Sequence, residues 1–268
     1  MPAPALPLSA AASVRLEGRP LLLLLDVDGT LSPIAPRPEY AVVPPETQRL
    51  VERLAATPNL HVAVVSGRAA DDARRIVGVS GVWVIGNHGI ETAAPNEAPK
   101  ARDDVVAFAD RIALAADRAS AISESIQGII VENKRWSLSV HYRLAHPRIV
   151  PDLTSQVEII AADLGLRVTR GKEVLEIRPP VEVDKGTAAV ALADRLGALH
   201  DEASIFAAGD DRTDEDMFRS LRGRKPRAVT VHVGVDPNAR ETVAEFSVAD
   251  TDAMRELLGC VLALREGL

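Results

Sequence analysis

Aromatic side chains are scarce, with two tryptophans, two tyrosines and four phenylalanines in 268 residues. The core must therefore be aliphatic, and an apolar content of 47% is ample for one. The single cysteine, Cys260, excludes an intramolecular disulfide and a cysteine-based metal site. It is expected to be a small core residue of a terminal helix. Positive charge is also in short supply: the net charge of −7 disfavours a nucleic-acid partner, which positive charge would have to hold. No apolar run reaches the ~20 residues that span a bilayer. The first twenty residues, rich in Ala and Pro, lack the basic start and continuous apolar stretch of a secretory signal. A cytoplasmic monomer with no membrane partner is the expectation, with residues 1 to about 13 as a mobile tail.

What the chain does have is a run of five leucines, Leu21 to Leu25, followed by Asp26-Val27-Asp28-Gly29-Thr30. The run has the length of a buried parallel strand, so two carboxylates stand at its carboxyl end, the edge where open α/β sheets bind ligands. Side chains two apart in an extended segment point the same way, and two facing carboxylates call for a cation such as Mg²⁺. The plainer reading makes Asp28-Gly29 a surface turn and Asp26 a helix cap.

Residues 33–45 hold five of the eighteen prolines, an ordered irregular loop. Helix 46–56, strand 60–65, helix 71–77 and strand 82–85 follow; the strands end in Ser66-Gly67-Arg68 and Gly86-Asn87-His88-Gly89. This rhythm predicts an α/β, doubly wound, Rossmann-like parallel sheet. It breaks near Lys100. A long amphipathic helix over 103–125, strands at 128–134 and 136–143, a helix at 150–164, and a hairpin of 166–169 with 174–178 make an inserted α+β module. The parallel rhythm then resumes with a helix 185–196, strand 204–208, short helix 217–221, strand 228–233 and helix 252–264. The predicted division is 14–102 and 182–268 for the core, with 103–181 as the insert.

Chemistry-bearing residues gather at strand ends: Asp26, Asp28 and Thr30, then Ser66, Lys185, and Asp210, Asp211 and Asp214. Asp26 and Asp210 are the candidate direct metal ligands. A carboxylate can be the covalent nucleophile of phosphoryl transfer, with Lys185 and the metal screening repulsion from the phosphate dianion. Thr30 and Ser66 can donate to phosphoryl oxygens, and Asp28 can move protons. Arg68 and His88, at the same edge, are candidate substrate contacts. In the insert, Glu132, Lys134, Arg143, Lys172 and Glu176 are polar side chains on turns or alternating strands, placed to face the core.

Each also has a plainer role. Glu132 with Lys134 can be an exposed pair, His141 a sheet residue, His88 a loop brace and Ser66 a helix cap. Lys185 can open a solvated helix, and Asp214 to Asp216 suit a first helical turn. The basic stretch 222–227 reads as a solvated loop. Whether Asp211 or Asp214 contacts the metal stays open.

Leu25-Asp26-Val27-Asp28-Gly29-Thr30, Ser66, Lys185 and Gly209-Asp210-Asp211 resemble the four-motif signature of haloacid dehalogenase superfamily phosphatases. The resemblance implies Asp26 as nucleophile, Asp28 as general acid/base with its backbone carbonyl on Mg²⁺, and the insert as a cap domain. A narrower resemblance, to trehalose-6-phosphate phosphatases, rests on Leu31-Ser32-Pro33-Ile34, Ser66-Gly67-Arg68, Asn87-His88-Gly89, Val131-Glu132-Asn133-Lys134, Leu138-Ser139-Val140-His141-Tyr142-Arg143, the stretch from Gly171 to Pro179 and that from Gly209 to Phe218. It implies that Glu132, Lys134 and Glu176 reach the sugar. Asn87 departs from the small residue that pattern carries. The competing readings are a phosphatase for another sugar phosphate, such as sucrose or mannosylglycerate phosphate, and a non-catalytic sugar-phosphate sensor.

Overall fold

The computed structural model describes residues 13–171, 173–234 and 242–267. Residues 1–12, expected as a tail, and Lys172 lie outside the described residues. The chain divides into two compact units, one running to Lys100 and resuming at Val183, the other spanning Ala101–Glu182.

In chain order the strands are β1 (Leu21–Leu25), β2 (Leu60–Val65), β3 (Trp83–Gly86), β4 (Glu91–Ala93) and β5 (Lys100–Ala101). Then come β6 (Ile130–Asn133), β7 (Leu138–His141), β8 (Arg167–Gly171) and β9 (Val174–Arg178). Last are β10 (Ser204–Gly209), β11 (Val229–Val233) and β12 (Phe246–Val248).

The larger sheet has the order β12-β11-β10-β1-β2-β3-β4-β5. Its β12 to β3 neighbours are parallel and β4 joins β3 antiparallel. The leucine run explains the layering. Leu21, Leu23 and Leu25 pack with Val51 and Leu54 of helix Pro45–Ala56, with Ile76 of helix Ala70–Val77, and with Met254 and Leu258 of helix Thr251–Glu266. Leu22 and Leu24 pack on the other face with Leu192 of helix Lys185–Arg195 and Met217 and Phe218 of helix Arg212–Arg224. Both faces are covered, so all five leucines have zero exposure. Leu25 is registered with Val64 and Ala208, which brings three carboxyl ends to one edge.

Three expectations for this unit are corrected. The short helix at 217–221 extends over Arg212–Arg224, because Asp211 and Asp214 form a capping box that satisfies its first amides. Cys260 is exposed. It falls between the buried stripe of Met254, Leu257, Leu258, Val261 and Leu262 and the next turn, pointing off that stripe. The stretch 222–227 is not a fully solvated loop: the helix continues to Arg224, and buried Lys225 sends its Nζ to the carbonyls of His200 and Asp201.

In the second unit the sheet order is β6-β7-β9-β8, with all neighbours antiparallel. Ile112 and Ala115 of helix Ala109–Ser125 and Leu153 and Val157 of helix Val150–Asp163 pack on Leu138, Val140, Leu175 and Ile177. Side chains alternate across a strand, so Ser139 and Glu176 face away from these helices, in register with Glu132. The single helix expected over 103–125 is two, Asp103–Val106 and Ala109–Ser125. The Phe108 N–H bonds Val105 three residues back, at 2.9 Å, after a β-branched pair that weakens the helix.

Candidate active site

The site of the first unit grows from the carboxyl edge of the larger sheet. Asp26 follows β1 directly and its N–H bonds the Ala208 carbonyl of β10 at 3.0 Å, so the nucleophile candidate continues the ladder. The chain then turns tightly, with Gly29 N–H to Ser32 O at 2.7 Å and Ser32 N–H to Val27 O at 2.8 Å. Gly29 has φ +91°, and a Cβ there would stand 2.2 Å from Asp210 Oδ2. Only glycine lets the turn lie against that carboxylate.

Lys185 opens its helix behind the capping box of Asp184 and Thr187. Its side chain is 2% exposed. The Nζ donates to Asp26 Oδ1 at 2.7 Å and to Asp214 Oδ1 at 2.8 Å. The second Asp214 oxygen accepts from the amides of Asp210 and Asp211 at 3.0 and 3.1 Å. Asp214 is therefore spent on holding Lys185 and the turn. Asp26, Asp210 and Asp214 offer oxygens that all lie within 4.8 Å of one another. Among the described residues the Asp210 carboxylate accepts no hydrogen bond, and Asp26 Oδ2 accepts none.

The electrostatics follow from this crowding. Burial pushes the Asp26 carboxyl up to about 7, against the pull of Lys185. Burial, with Asp214 and Asp211 alongside, does the same to Asp210, again to about 7. Asp214 is also raised, by burial first. Asp211 is held down at about 2 despite its burial, by Lys185 and by hydrogen bonds from Thr213 and Asp214. Burial works against the Lys185 ammonium, but Asp214, Asp26 and Asp211 together hold it well above the usual lysine range. One ammonium among four carboxylates leaves a negative excess, and hard oxygen donors without protein partners fit a hard divalent cation such as Mg²⁺.

Ser66, 1% exposed, directly follows β2, with its amide on the Ile85 carbonyl at 2.8 Å. Thr30 is fully buried, and its Oγ1 has no hydrogen-bond partner among the described residues. His88 is 9% exposed and in the left-handed region, its N–H on Ser66 O at 3.0 Å and its ring against Gly67. Asn87, the unexpected residue, has φ +49° and donates to Arg68 O at 2.6 Å; asparagine tolerates that conformation where most residues do not. Arg68, expected at the substrate, donates to Asp28 and to Asp72.

The second unit brings another group together on the face of its sheet opposite the helices. Lys134 Nζ and Ser139 Oγ each lie 3.3 Å from Glu176 Oε1, and Lys134 and Glu176 are both buried. Glu132 pairs with His141 at 3.0 Å. Arg143 is exposed, its Nε on Glu173 at 2.8 Å. Ser139 and the Glu132–His141 pairing were not singled out by the sequence reading; alternation along β7 is the signal that points to them.

The trehalose-phosphatase family model matches residues 24–252. The chain belongs to that family. It is 37% identical over 239 residues to the trehalose-phosphate phosphatase of Mycobacterium avium, covering 87% of this chain and 60% of that protein. It is 39% identical over 210 residues, 77% of this chain, to an uncharacterized glycosyl hydrolase of Mycobacterium tuberculosis, of which it spans 16%. The chain thus spans less than two thirds of these relatives' lengths. A crystal structure of a trehalose-6-phosphate phosphatase related protein superposes with a TM-score of 0.80 and 26% identity over 92% of this chain and 99% of that one. The architecture is the α/β, Rossmann-like haloacid dehalogenase phosphatase fold. No helix of the described residues is long and apolar enough to cross a membrane.

Proposed function

We propose that this chain is a Mg²⁺-dependent phosphatase that hydrolyses trehalose 6-phosphate to trehalose and inorganic phosphate. The observation that carries the proposal is the buried Asp26 carboxylate at the sheet edge, with Oδ1 on Lys185 and Asp210 close by. Asp26, Asp210 and the backbone carbonyl of Asp28 would hold the ion. When bound, the ion screens the charge of the substrate phosphate from the carboxylates.

In this reading an Asp26 oxygen bonds to phosphorus as the bond from phosphorus to the sugar oxygen breaks, and Asp28 gives that oxygen its proton. Asp28 then takes a proton from water, whose oxygen attacks phosphorus and frees Asp26. Thr30 Oγ1 and Ser66 Oγ donate to phosphoryl oxygens, which would give the buried Thr30 hydroxyl the partner it lacks. Lys185 keeps Asp26 aimed and offsets charge, and His88 braces the turn beside Ser66. The unit 101–182 acts as a cap, with Glu132, Lys134, Arg143 and Glu176 selecting the sugar.

The test is phosphate release from a panel of trehalose, sucrose and mannosylglycerate phosphates with Mg²⁺. A clear preference for trehalose 6-phosphate is expected. Preference for another member overturns the substrate, and no release from any of them overturns the enzyme in favour of a sensor.

A further inference from the structure

The proposed acid/base Asp28 is gripped from outside the metal-side cluster. Arg68 Nε lies 2.7 Å from Asp28 Oδ2, and Nη2 lies 2.8 Å from Oδ1, a two-pronged fork on both oxygens. The remaining arm, Nη1, lies 2.8 Å from Asp72 Oδ2 in the first turn of helix Ala70–Val77. The other Asp72 oxygen takes Arg75.

Accessibility says which partner is the fixed one. The Arg68 side chain is 9% exposed and that of Asp28 is 37% exposed. The Arg68 backbone is clamped as well, its N–H on Ser66 Oγ at 3.2 Å and its carbonyl taking Asn87 N–H at 2.6 Å. Arg68 is therefore the anchor and Asp28 the group being aimed.

We infer that Asp72 is a positioning residue for the proposed reaction: it locks the Arg68 guanidinium, whose fork sets the direction of the Asp28 carboxylate. This rests on the phosphatase reading above. A planar fork fixes a carboxylate in direction as well as distance, which a lysine ammonium cannot do. Asp72 reaches Asp28 through Arg68, so its removal frees the guanidinium to rotate while every group at the phosphate stays in place. A displacement of about 1 Å in a proton-transfer group costs on the order of 10²-fold in rate. In the first step that loss concerns the acid; the second step, in which Asp28 is the base, is common to both esters and does not enter kcat/KM. The loss should be large when the leaving group is a sugar alkoxide, which needs a proton, and small when it is nitrophenolate, which does not.

The experiment measures kcat and KM of Asp72→Ala, Arg68→Lys and the double variant on trehalose 6-phosphate and on p-nitrophenyl phosphate, both with Mg²⁺. Each single variant should lose ~10²-fold in kcat/KM on the sugar phosphate and less than about fivefold on the nitrophenyl ester. The double variant should be no worse than Arg68→Lys, since both act through one fork. Equal losses of kcat/KM on both substrates make Arg68 a ligand of the shared phosphate and overturn the inference. Additive losses overturn it for Asp72. If the wild type turns over only a different alkyl phosphate, the substrate reading fails and the same comparison is made on that ester. If it turns over nothing, the crystal structure of Asp72→Ala decides. An Asp28 carboxylate displaced from its present position supports the inference, and one unmoved overturns it.

Discussion

Lys185 Nζ lies 2.7 Å from Asp26 Oδ1 across 159 positions of sequence, and neither side chain is more than 6% exposed. A buried pair of this kind has a steep asymmetry: its formation contributes little net stability, but removing one partner leaves an unpaired charge and costs about 3–5 kcal/mol. Asp214 softens one direction of that asymmetry only. It is a second acceptor for Lys185, while among the described residues Lys185 is the one cation bonded to Asp26.

Asp26→Asn should therefore abolish turnover and keep the fold. The amide cannot attack phosphorus, and Lys185 still has Asp214. Phosphate release should fall by more than ~10⁴-fold, the scale of losing a covalent nucleophile, while circular dichroism and the thermal midpoint stay close to wild type. Residual turnover near the wild-type rate would refute the mechanism. Lys185→Met, in contrast, should be strongly destabilised, because Asp26 and Asp214 then share a dry site without a cation.

Metal-free protein should lose stability as pH rises, the reverse of an ordinary carboxylate protein. Asp26 and Asp210 are raised from 3.8 to about 7. The folded state thus binds more protons than the unfolded chain between those values, and stability falls across about pH 4 to 7. Mg²⁺ binds the ionised forms, so it should raise the urea midpoint at pH 8 and much less at pH 5. Asp210→Asn should remove the Mg²⁺ effect. An equal midpoint with and without Mg²⁺ at pH 8 would rule out these carboxylates as its site.

The sequence was most legible where one strand and its next few residues carry the message. Leu21 to Thr30 announce a buried strand and its carboxylates, and the alternation in 136–143 and 174–178 announces the smaller sheet. It was least legible where a side chain acts across the fold or where polar residues conceal regular structure. The helix Arg212–Arg224 begins in a run of charges where first-turn acids hint at a helix, but the start is fixed only by Asp211 and Asp214 bonding its amides. Lys225 sits in a basic stretch, and nothing local shows that it reaches the carbonyls of His200 and Asp201. The Arg68 and Asp72 side chains are four apart, a common helix spacing, and only the tertiary contact with Asp28 gives the pair a task.

Gly29→Ala should damage the site from the backbone side. A left-handed φ costs a residue with a Cβ about 1–2 kcal/mol, and the new methyl would stand 2.2 Å from Asp210 Oδ2. The turn or Asp210 must give way. A thermal midpoint lower by a few degrees, weaker Mg²⁺ binding by calorimetry and a rate loss near ~10²-fold are expected. Unchanged Mg²⁺ affinity would mean that this close approach does not shape the metal site.

Lys134→Ala tests the role proposed for the unit 101–182. Lys134 and Ser139 each sit 3.3 Å from Glu176 Oε1, longer than the ~2.7–2.9 Å of a relaxed charge-assisted bond. Both contacts leave room to shorten around a sugar hydroxyl. Removing Lys134 takes a charged hydrogen bond from a buried carboxylate, and a lost bond of that kind is worth roughly 1.5–3 kcal/mol. KM for the sugar phosphate should rise at least ~10-fold, with p-nitrophenyl phosphate hydrolysis nearly unchanged, because that ester presents no sugar. Glu176→Gln should act in the same direction and more weakly, since the amide still accepts from Lys134. If both esters lose activity together, Lys134 supports the fold or the chemistry, and sugar selection must lie with other residues.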